Sequence, residues 1–305
     1  MSDTVFVNSA ELGTTAADWL ALLKPRVMSL VVYTGAIGLV IAPVHMNPVL
    51  ALTAILCIAV GAGAAGAINM WYERDIDAMM KRTARRPVAA GRIEPGAALM
   101  FGVVLSIGSV LLMAVVANWL AAAVLAISIG FYVFIYTIWL KRLTPQNIVI
   151  GGAAGAFPAV IGWAAATGNI TALPLLLFAI AFFWTPPHFW SLSLYACQDY
   201  ERAGVPMLPV VKGARHTRIC VAVYTLILVL VSLTPYWLGL TGRIYGAAAL
   251  ALGAAFLYYS WGVLRDKQDA AGNSLTGDVP ARAAFKYSLL YLFLLFGACA
   301  VDRLI

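Results

Sequence analysis

Apolar runs of a length suited to membrane helices recur from one end of this chain to the other, separated by short stretches of charge and turn residues. A helix needs about 20 residues to cross the hydrocarbon core of a bilayer, and only elements that satisfy their own backbone hydrogen bonds can do so. The runs lack the polar and apolar alternation, over segments of about 10 residues, that a barrel requires. The reading is an all-α integral membrane protein, a bundle of nine spans at about 27–46, 49–70, 96–116, 118–140, 147–167, 171–194, 219–240, 243–264 and 284–302. With 63% of its 305 residues apolar or aromatic and 11% charged, the chain has too little polar surface to cover a soluble globule. Residues 1–21 form a polar N-terminal tail without the features of a secretory signal peptide, and residues 22–305 form one membrane domain without a long linker.

A net charge of +7 raises the question of nucleic acid, which the placement of that charge decides. If successive spans alternate in direction, every lysine and arginine except Arg243 and Arg303 falls on the face where the chain begins. Positive residues favour the cytoplasmic side, so the N-terminus and all strongly charged loops are expected there, and no nucleic-acid partner is needed. Cys57, Cys197, Cys220 and Cys299 have no paired spacing, which argues against a disulfide framework or a zinc site. "GAGAAG" at 61–66 matches a dinucleotide-binding pattern only formally, because no strand precedes it. Like "IGGAAGAFPAVIG" at 150–162, it reads instead as small residues that let helices approach closely. The segment 265–283, "RDKQDAAGNSLTGDVPARA", is the most flexible in composition.

"NMWYERDIDAMMKR" at 69–82 packs acids and bases together at the foot of the second apolar run. On a continuing helix Asn69, Glu73 and Asp77 fall at i, i+4 and i+8 and share a face. Carboxylates one turn apart beside a low-dielectric medium repel unless a cation neutralises them. An amide plus carboxylates, without His or Cys, suits Mg²⁺, which completes its shell with water and substrate phosphate. Lys81, Arg82, Arg85, Arg86 and Arg92 follow, and guanidinium groups bind phosphate oxygens through paired donors. The combination describes a diphosphate site with the lipid phase beside it for an apolar tail. A positive-inside anchor accounts equally well for the basic residues alone, but not for the three side chains sharing one face. Asp75 points off that face and is expected to pair with Arg74 or a neighbour.

A second cluster, "LYACQDYERAGVPMLPVVKGARHTR" at 194–218, lies on the same side. Asp199 is the candidate further acidic ligand, beside Gln198 and Glu201, with Lys212, Arg215 and Arg218 as anion partners. Two facing acidic helix ends could hold one or two Mg²⁺ ions and draw charge off a departing diphosphate. "FFWTPPHFW" places Thr185, Pro186, Pro187 and His188 in an apolar helix, where the prolines are expected to kink or break it and His188 to face a cavity. His188 is either a packed, satisfied residue or a functional one. Phe131, Tyr132, Phe134, Tyr136, Trp139, Phe182, Phe183, Trp184, Phe189 and Trp190 are either interfacial and core aromatics or faces that stabilise an allylic cation and stack on a flat acceptor.

On "LLKPRV" at 22–27, residues 69–92, "NIVIGGAAGAFPAVIGW" at 147–163, "WTPPHFWSLSL" at 184–194 and "DYERAGVPMLPVV" at 199–211, the chain resembles the UbiA superfamily of intramembrane prenyltransferases, and within it the branch that farnesylates haem. The resemblance is specific from about residue 22 to 218 and beyond that rests on hydropathy. It implies a nine-helix fold in a bacterial cytoplasmic membrane, with the site near the cytoplasmic face. It also implies Mg²⁺, farnesyl diphosphate and haem B as substrates, and haem O passed to haem A synthase or terminal-oxidase assembly. Residue by residue it assigns Asn69, Glu73, Asp77 and Asp199 to metal binding and catalysis, Arg82 and Arg86 to diphosphate, and His188 to the haem pocket or catalysis. Glu73, where quinone-type relatives often have Asp, favours the haem branch, and Gln198, where an acid is common, leaves the number of metal ions open. The alternatives are a relative that prenylates a quinone precursor such as 4-hydroxybenzoate, and a haem transporter or carrier. A transporter should show charge open to both faces and inverted repeats.

Overall fold

The protein is described as a computed structural model covering residues 14–270 and 272–305. Most of the expected tail thus lies outside the described residues. In chain order the helices are α1 (Ala16–Leu22), α2 (Pro25–Val40), α3 (Pro48–Tyr72), α4 (Arg74–Met79), α5 (Pro95–Val116) and α6 (Trp119–Gly130). A π-helical segment, Phe131–Leu140, continues α6. Then come α7 (Asn147–Thr167), α8 (Ala172–Tyr195), α9 (Cys197–Arg202), α10 (Leu208–Lys212), α11 (Ala214–Trp237), α12 (Arg243–Leu264) and α13 (Val279–Leu304). With α6 and the π segment taken together, 8 helices are long and apolar enough to cross a membrane, and α1 with α2, bent by 51°, makes up to 9. The all-α multi-pass architecture expected from the sequence is present.

The first span differs from the expected 27–46. Helix starts before it, at Ala16, because the Thr15 hydroxyl and Asp18 carboxylate form a reciprocal cap. Lys24, at φ 50°, then turns the corner into α2. The helix stops at Val40, and Asn47, whose side chain accepts from Val49 N–H, starts α3 ahead of Pro48. Residues 41–46 form the turn; their apolar character disguised it in the sequence. The prolines of α8 do not break that helix, which runs unbroken from Ala172 to Tyr195.

Small residues set the packing, as expected. A Cβ added at Gly38 would lie 2.0 Å from the Ala159 carbonyl oxygen, and one at Gly162 would lie 2.0 Å from that of Gly35. Helices α2 and α7 therefore touch backbone to backbone. Most of α7 is buried, and its side chains enter two apolar clusters, one with α8, α12 and α13 and one with α3, α5 and α6. It is the central post of the bundle.

The 265–283 segment is tied down rather than loose. Arg218, 1% exposed, reaches Asp266 and Asp278 at 3.5 Å and donates to the Gly272 carbonyl at 2.8 Å. Thr276 donates to Asp266 at 2.6 Å, and Gln268 pairs with Ser274 in an isolated bridge. Arg218 is consequently a structural clamp and not the anion contact expected from the sequence. All four cysteines are free, and burial pushes the Cys197 thiol up, away from the reactive thiolate.

Because backbone opposes backbone at Gly162, Gly162→Ala should cost about 1–3 kcal/mol. At Gly108, where an added Cβ meets nothing within 4 Å, alanine should be neutral or slightly stabilising. Thermal unfolding of the two variants in detergent measures the contrast.

Candidate active site

Helix α3 ends at Tyr72 and α4 begins at Arg74, yet Glu73 between them keeps a near-helical backbone (φ −96°, ψ 11°). Glu73 N–H donates to Asn69 C=O at 2.9 Å and Asp77 N–H to Glu73 C=O at 2.8 Å, so the four-residue spacing survives the break. Asn69, Glu73 and Asp77 are 2%, 1% and 2% exposed. Two carboxyl groups and an amide are thus buried together at the foot of α3.

Protein cations from three other places meet them. Arg86, in the turn after α4, donates to both Asp77 oxygens at 2.8 and 2.7 Å. Lys141, at the end of the π segment, pairs with Glu73 Oε2 and lies 5.9 Å from the centroid of the Tyr136 ring. Lys24, at the α1–α2 corner, donates to Asn69 Oδ1 at 2.7 Å, while Asn69 Nδ2 donates to Thr137 at 3.2 Å. The wide winding of the π segment carries Thr137 and Lys141 to this place. Such windings often mark functional sites. Gly151 leaves room for it, since a Cβ there would sit 2.2 Å from the Tyr136 ring. Asp75 pairs not with Arg74 but with Arg142, at 2.9 and 2.8 Å, which holds its carboxyl below the usual carboxylate range. Arg142 also covers the Tyr72 ring at 5.0 Å.

The second acidic segment packs beside the first. Ile76 of α4 and Met80 just after it share a buried cluster with Tyr200, Ala203, Val205 and Met207. Asp199 itself pairs with Arg202 at 2.8 Å. Lys81 and Arg82 are exposed and have no ion-pair partner among the described residues, so their charge is available to an incoming anion. Lys212 is likewise exposed and without an ion-pair partner among the described residues, and Arg215 lines a recess of about 550 Å³ with Arg218, Ile219, Leu264 and Gln268. Arg218 ties the start of α11 to the α12–α13 loop.

Whether these residues suit a metal turns on one atom. Among the described residues no three His, Cys, Asp or Glu side chains converge as a metal cluster. Glu73 Oε1, however, is buried without any hydrogen-bond partner. A sealed carboxylate oxygen lacking a donor is costly, and a cation relieves the cost. Asn69, Glu73 and Asp77 therefore fit a hard divalent ion, provided that the lysine and arginine now beside them give way.

His188 is buried on α8, its ring stacked between Trp184 at 4.3 Å and Phe285 at 4.6 Å. A row of rings, Phe131, Phe157, Phe178, Phe182 and Phe183, runs from the π segment across α7 and α8, with successive centroids 6.4, 5.0, 6.3 and 5.3 Å apart. Phe134 and Trp139 are exposed and face outward, which leaves them as belt residues rather than site aromatics.

Sequence reasoning missed Lys24, Lys141, Thr137 and Phe285. The signal for the first was on the page, a lone lysine ahead of Pro25 at the entrance to an apolar run. For the others none existed, because each depends on which helix lies next to α3 or α8. Lys141→Met strands Glu73 in a buried setting and should cost about 3–5 kcal/mol. Adding Glu73→Gln should recover most of the loss, as read from thermal unfolding of the single and double variants.

The model of the UbiA prenyltransferase family matches residues 31–300. A protoheme IX farnesyltransferase of Acidiphilium cryptum is 67% identical over 99% of this chain and 96% of its own length. One of Granulibacter bethesdensis is 63% identical over 100% of both. A solved structure of a digeranylgeranylglyceryl phosphate synthase superposes with a TM-score of 0.75 at 18% identity, covering 94% of this chain and 98% of that one. A UbiA homolog from Archaeoglobus fulgidus, solved bound to DMAPP and Mg²⁺, gives 0.63 at 16% identity, covering 92% and 99%. The chain belongs to the UbiA prenyltransferase family.

Proposed function

We propose that this protein transfers the farnesyl group of farnesyl diphosphate to a vinyl group of haem B, with addition of water, giving haem O and diphosphate. The observation that carries the diphosphate half is the buried set of Asn69, Glu73 and Asp77, with Glu73 Oε1 lacking a partner and three cationic side chains in contact. The haem half is supported by relatives of 63–67% identity that carry the name protoheme IX farnesyltransferase. The same identity disfavours a hydroxybenzoate acceptor. The distribution of positive residues supports a site at the cytoplasmic face with the N-terminus inside, and the bacterial relatives support an inner membrane.

Lys81 and Arg82, exposed and unpaired, receive the diphosphate from the cytoplasm. Asn69, Glu73 and Asp77 would hold Mg²⁺, with Asp199 of the neighbouring segment as the further acid once freed from Arg202, and the ion would supply charge neutralisation for the departing diphosphate. Arg86 and Lys141 then exchange their carboxylate partners for diphosphate oxygens, which costs little because each keeps an anion beside it. The bond between farnesyl C1 and the diphosphate oxygen breaks, and C1 bonds to the terminal vinyl carbon. Water adds at the inner vinyl carbon with loss of a proton. The row from Phe131 to Phe183 faces the allylic cation with ring density and keeps water from it until the carbon bond has formed.

Purified protein with haem B, farnesyl diphosphate and Mg²⁺ should yield farnesylhydroxyethyl haem, resolved by chromatography and mass, and chelation should abolish it. Asp77→Ala should lower the rate by about 10²–10³-fold, the usual loss for a group that stabilises developing charge. A prenylated hydroxybenzoate with no haem product would keep the diphosphate site and overturn the acceptor. Arg82→Ala should raise KM for farnesyl diphosphate, and more so at low salt, since its charge is exposed and screened.

A further inference from the structure

The recess of about 550 Å³ between the start of α11 and the end of α12 has no part in the proposed reaction. Its polar wall comes from Arg215 and Arg218 in α11 and from Gln268 and Asp269 in the α12–α13 loop. The charge of Arg218 is already answered, since Nη2 faces Asp266 and Asp278 and Nη1 donates to the Gly272 carbonyl. Its Nε, however, is buried without an acceptor, a costly state for a charged donor. Arg215 is exposed and forms no ion pair among the described residues. Asp269 accepts from Asn273 N–H at 2.8 Å and from Asn273 Nδ2 at 3.0 Å, which holds its carboxylate at the rim. The recess thus offers a ligand one cationic and one anionic group, side by side on its wall.

Arg215 also heads an apolar stripe. Ile219, Val223, Leu226 and Leu230 follow it at helical spacing down the outside of α11, each about half exposed. On α12 the other wall is Leu264, with exposed Trp261 one turn below it and the Arg265 guanidinium 4.5 Å from the Trp261 ring. An aromatic ring beneath a cation at a helix end is the pattern of a membrane–water boundary. A soluble anion makes no use of such a stripe, whereas a lipid with its headgroup in the recess lays a chain along it.

We propose that this recess is a phospholipid site, fitted to a headgroup that carries both a phosphate and a primary ammonium. The phosphate lies against Arg215, the spare Nε–H of Arg218 and the first-turn N–H groups of α11, to which Gly213 offers no side-chain cap. The ammonium donates to Asp269, whose carboxylate keeps further lone pairs beyond those given to Asn273. One acyl chain follows Ile219 to Leu230. A lipid seated this way joins α11 to the α12–α13 loop, beside the clamp that Arg218 already makes.

The test titrates the full-length, delipidated protein in detergent with dioleoyl phosphatidylethanolamine and counts lipid adducts by native mass spectrometry. One adduct should form ahead of the rest, about tenfold more tightly than with the phosphatidylcholine analogue, whose quaternary ammonium has no N–H to donate. Arg215→Ala, at an exposed position that leaves the fold intact, should weaken it about tenfold. Asp269→Asn should abolish the preference for ethanolamine over choline while binding persists, and Ile219→Asp should weaken every lipid alike. Inorganic phosphate and glycerophosphoethanolamine, which lack chains, should fail to displace the adduct. Uniform binding of all lipids that ignores Arg215→Ala and Ile219→Asp would mean an annular shell only and would overturn the site. Displacement by inorganic phosphate, with Ile219→Asp silent, would overturn the lipid in favour of a free anion. Tighter binding of phosphatidylglycerol than of phosphatidylethanolamine would overturn the paired-charge headgroup.

Discussion

Burial of like charges at the foot of α3 is the constraint on which the rest of the molecule depends. Glu73 and Asp77 lie one turn apart at the foot of α3, and both are almost wholly buried in protein. Isolated carboxylates in such a place cost several kcal/mol each, as an order of magnitude. The fold meets this cost with cations drawn from distant parts of the sequence, Arg86 from the turn after α4 and Lys141 from the end of the π segment, with Lys24 at the adjoining amide. Those contacts pin the α1–α2 corner, the α3–α4 junction and the π segment to one point. The same charges that organise this end of the bundle are the ones to which the proposed function gives the diphosphate and its metal. Structure and chemistry therefore draw on a single set of residues.

Away from that point the bundle is held by close approach rather than by polar contacts. Gly35, Gly38 and Gly162 let α2 and α7 meet at their backbones, and α7 then contributes to the apolar clusters on both sides. Gly151 serves a different purpose, because its missing side chain is the space that the Tyr136 ring fills beside Lys141. A backbone packed this tightly has low compressibility. It offers a rigid frame on which a reactive allylic fragment and a flat acceptor can be aligned.

The two regions of the proposed site are built in different ways. The acidic end is polar, with its buried carboxylates held in salt bridges. The end around His188 is apolar and fixed, with two aromatic faces and the Ser288 hydroxyl 2.7 Å from Nδ1. A charged diphosphate with a long apolar tail and a planar metallated acceptor make these same opposed demands. The α12–α13 loop, clamped by Arg218, holds the start of the helix that supplies Phe285 and Ser288.

Much of this was present in the order of the residues. Length and hydropathy determined a multi-pass helical bundle, because a bilayer admits little else. The four-residue spacing of Asn69, Glu73 and Asp77 determined a shared buried face, because helix period is local and survives the break at Glu73. The tertiary structure alone decided which cations answer those acids, that Arg215 lines a recess beside the α12–α13 loop, that Arg218 clamps that loop, and that Ser288 sits against His188. Each of these joins residues far apart in the chain, and helix-to-helix adjacency in a membrane is set by side-chain fit between surfaces of nearly identical hydropathy. No periodicity in the sequence records that choice.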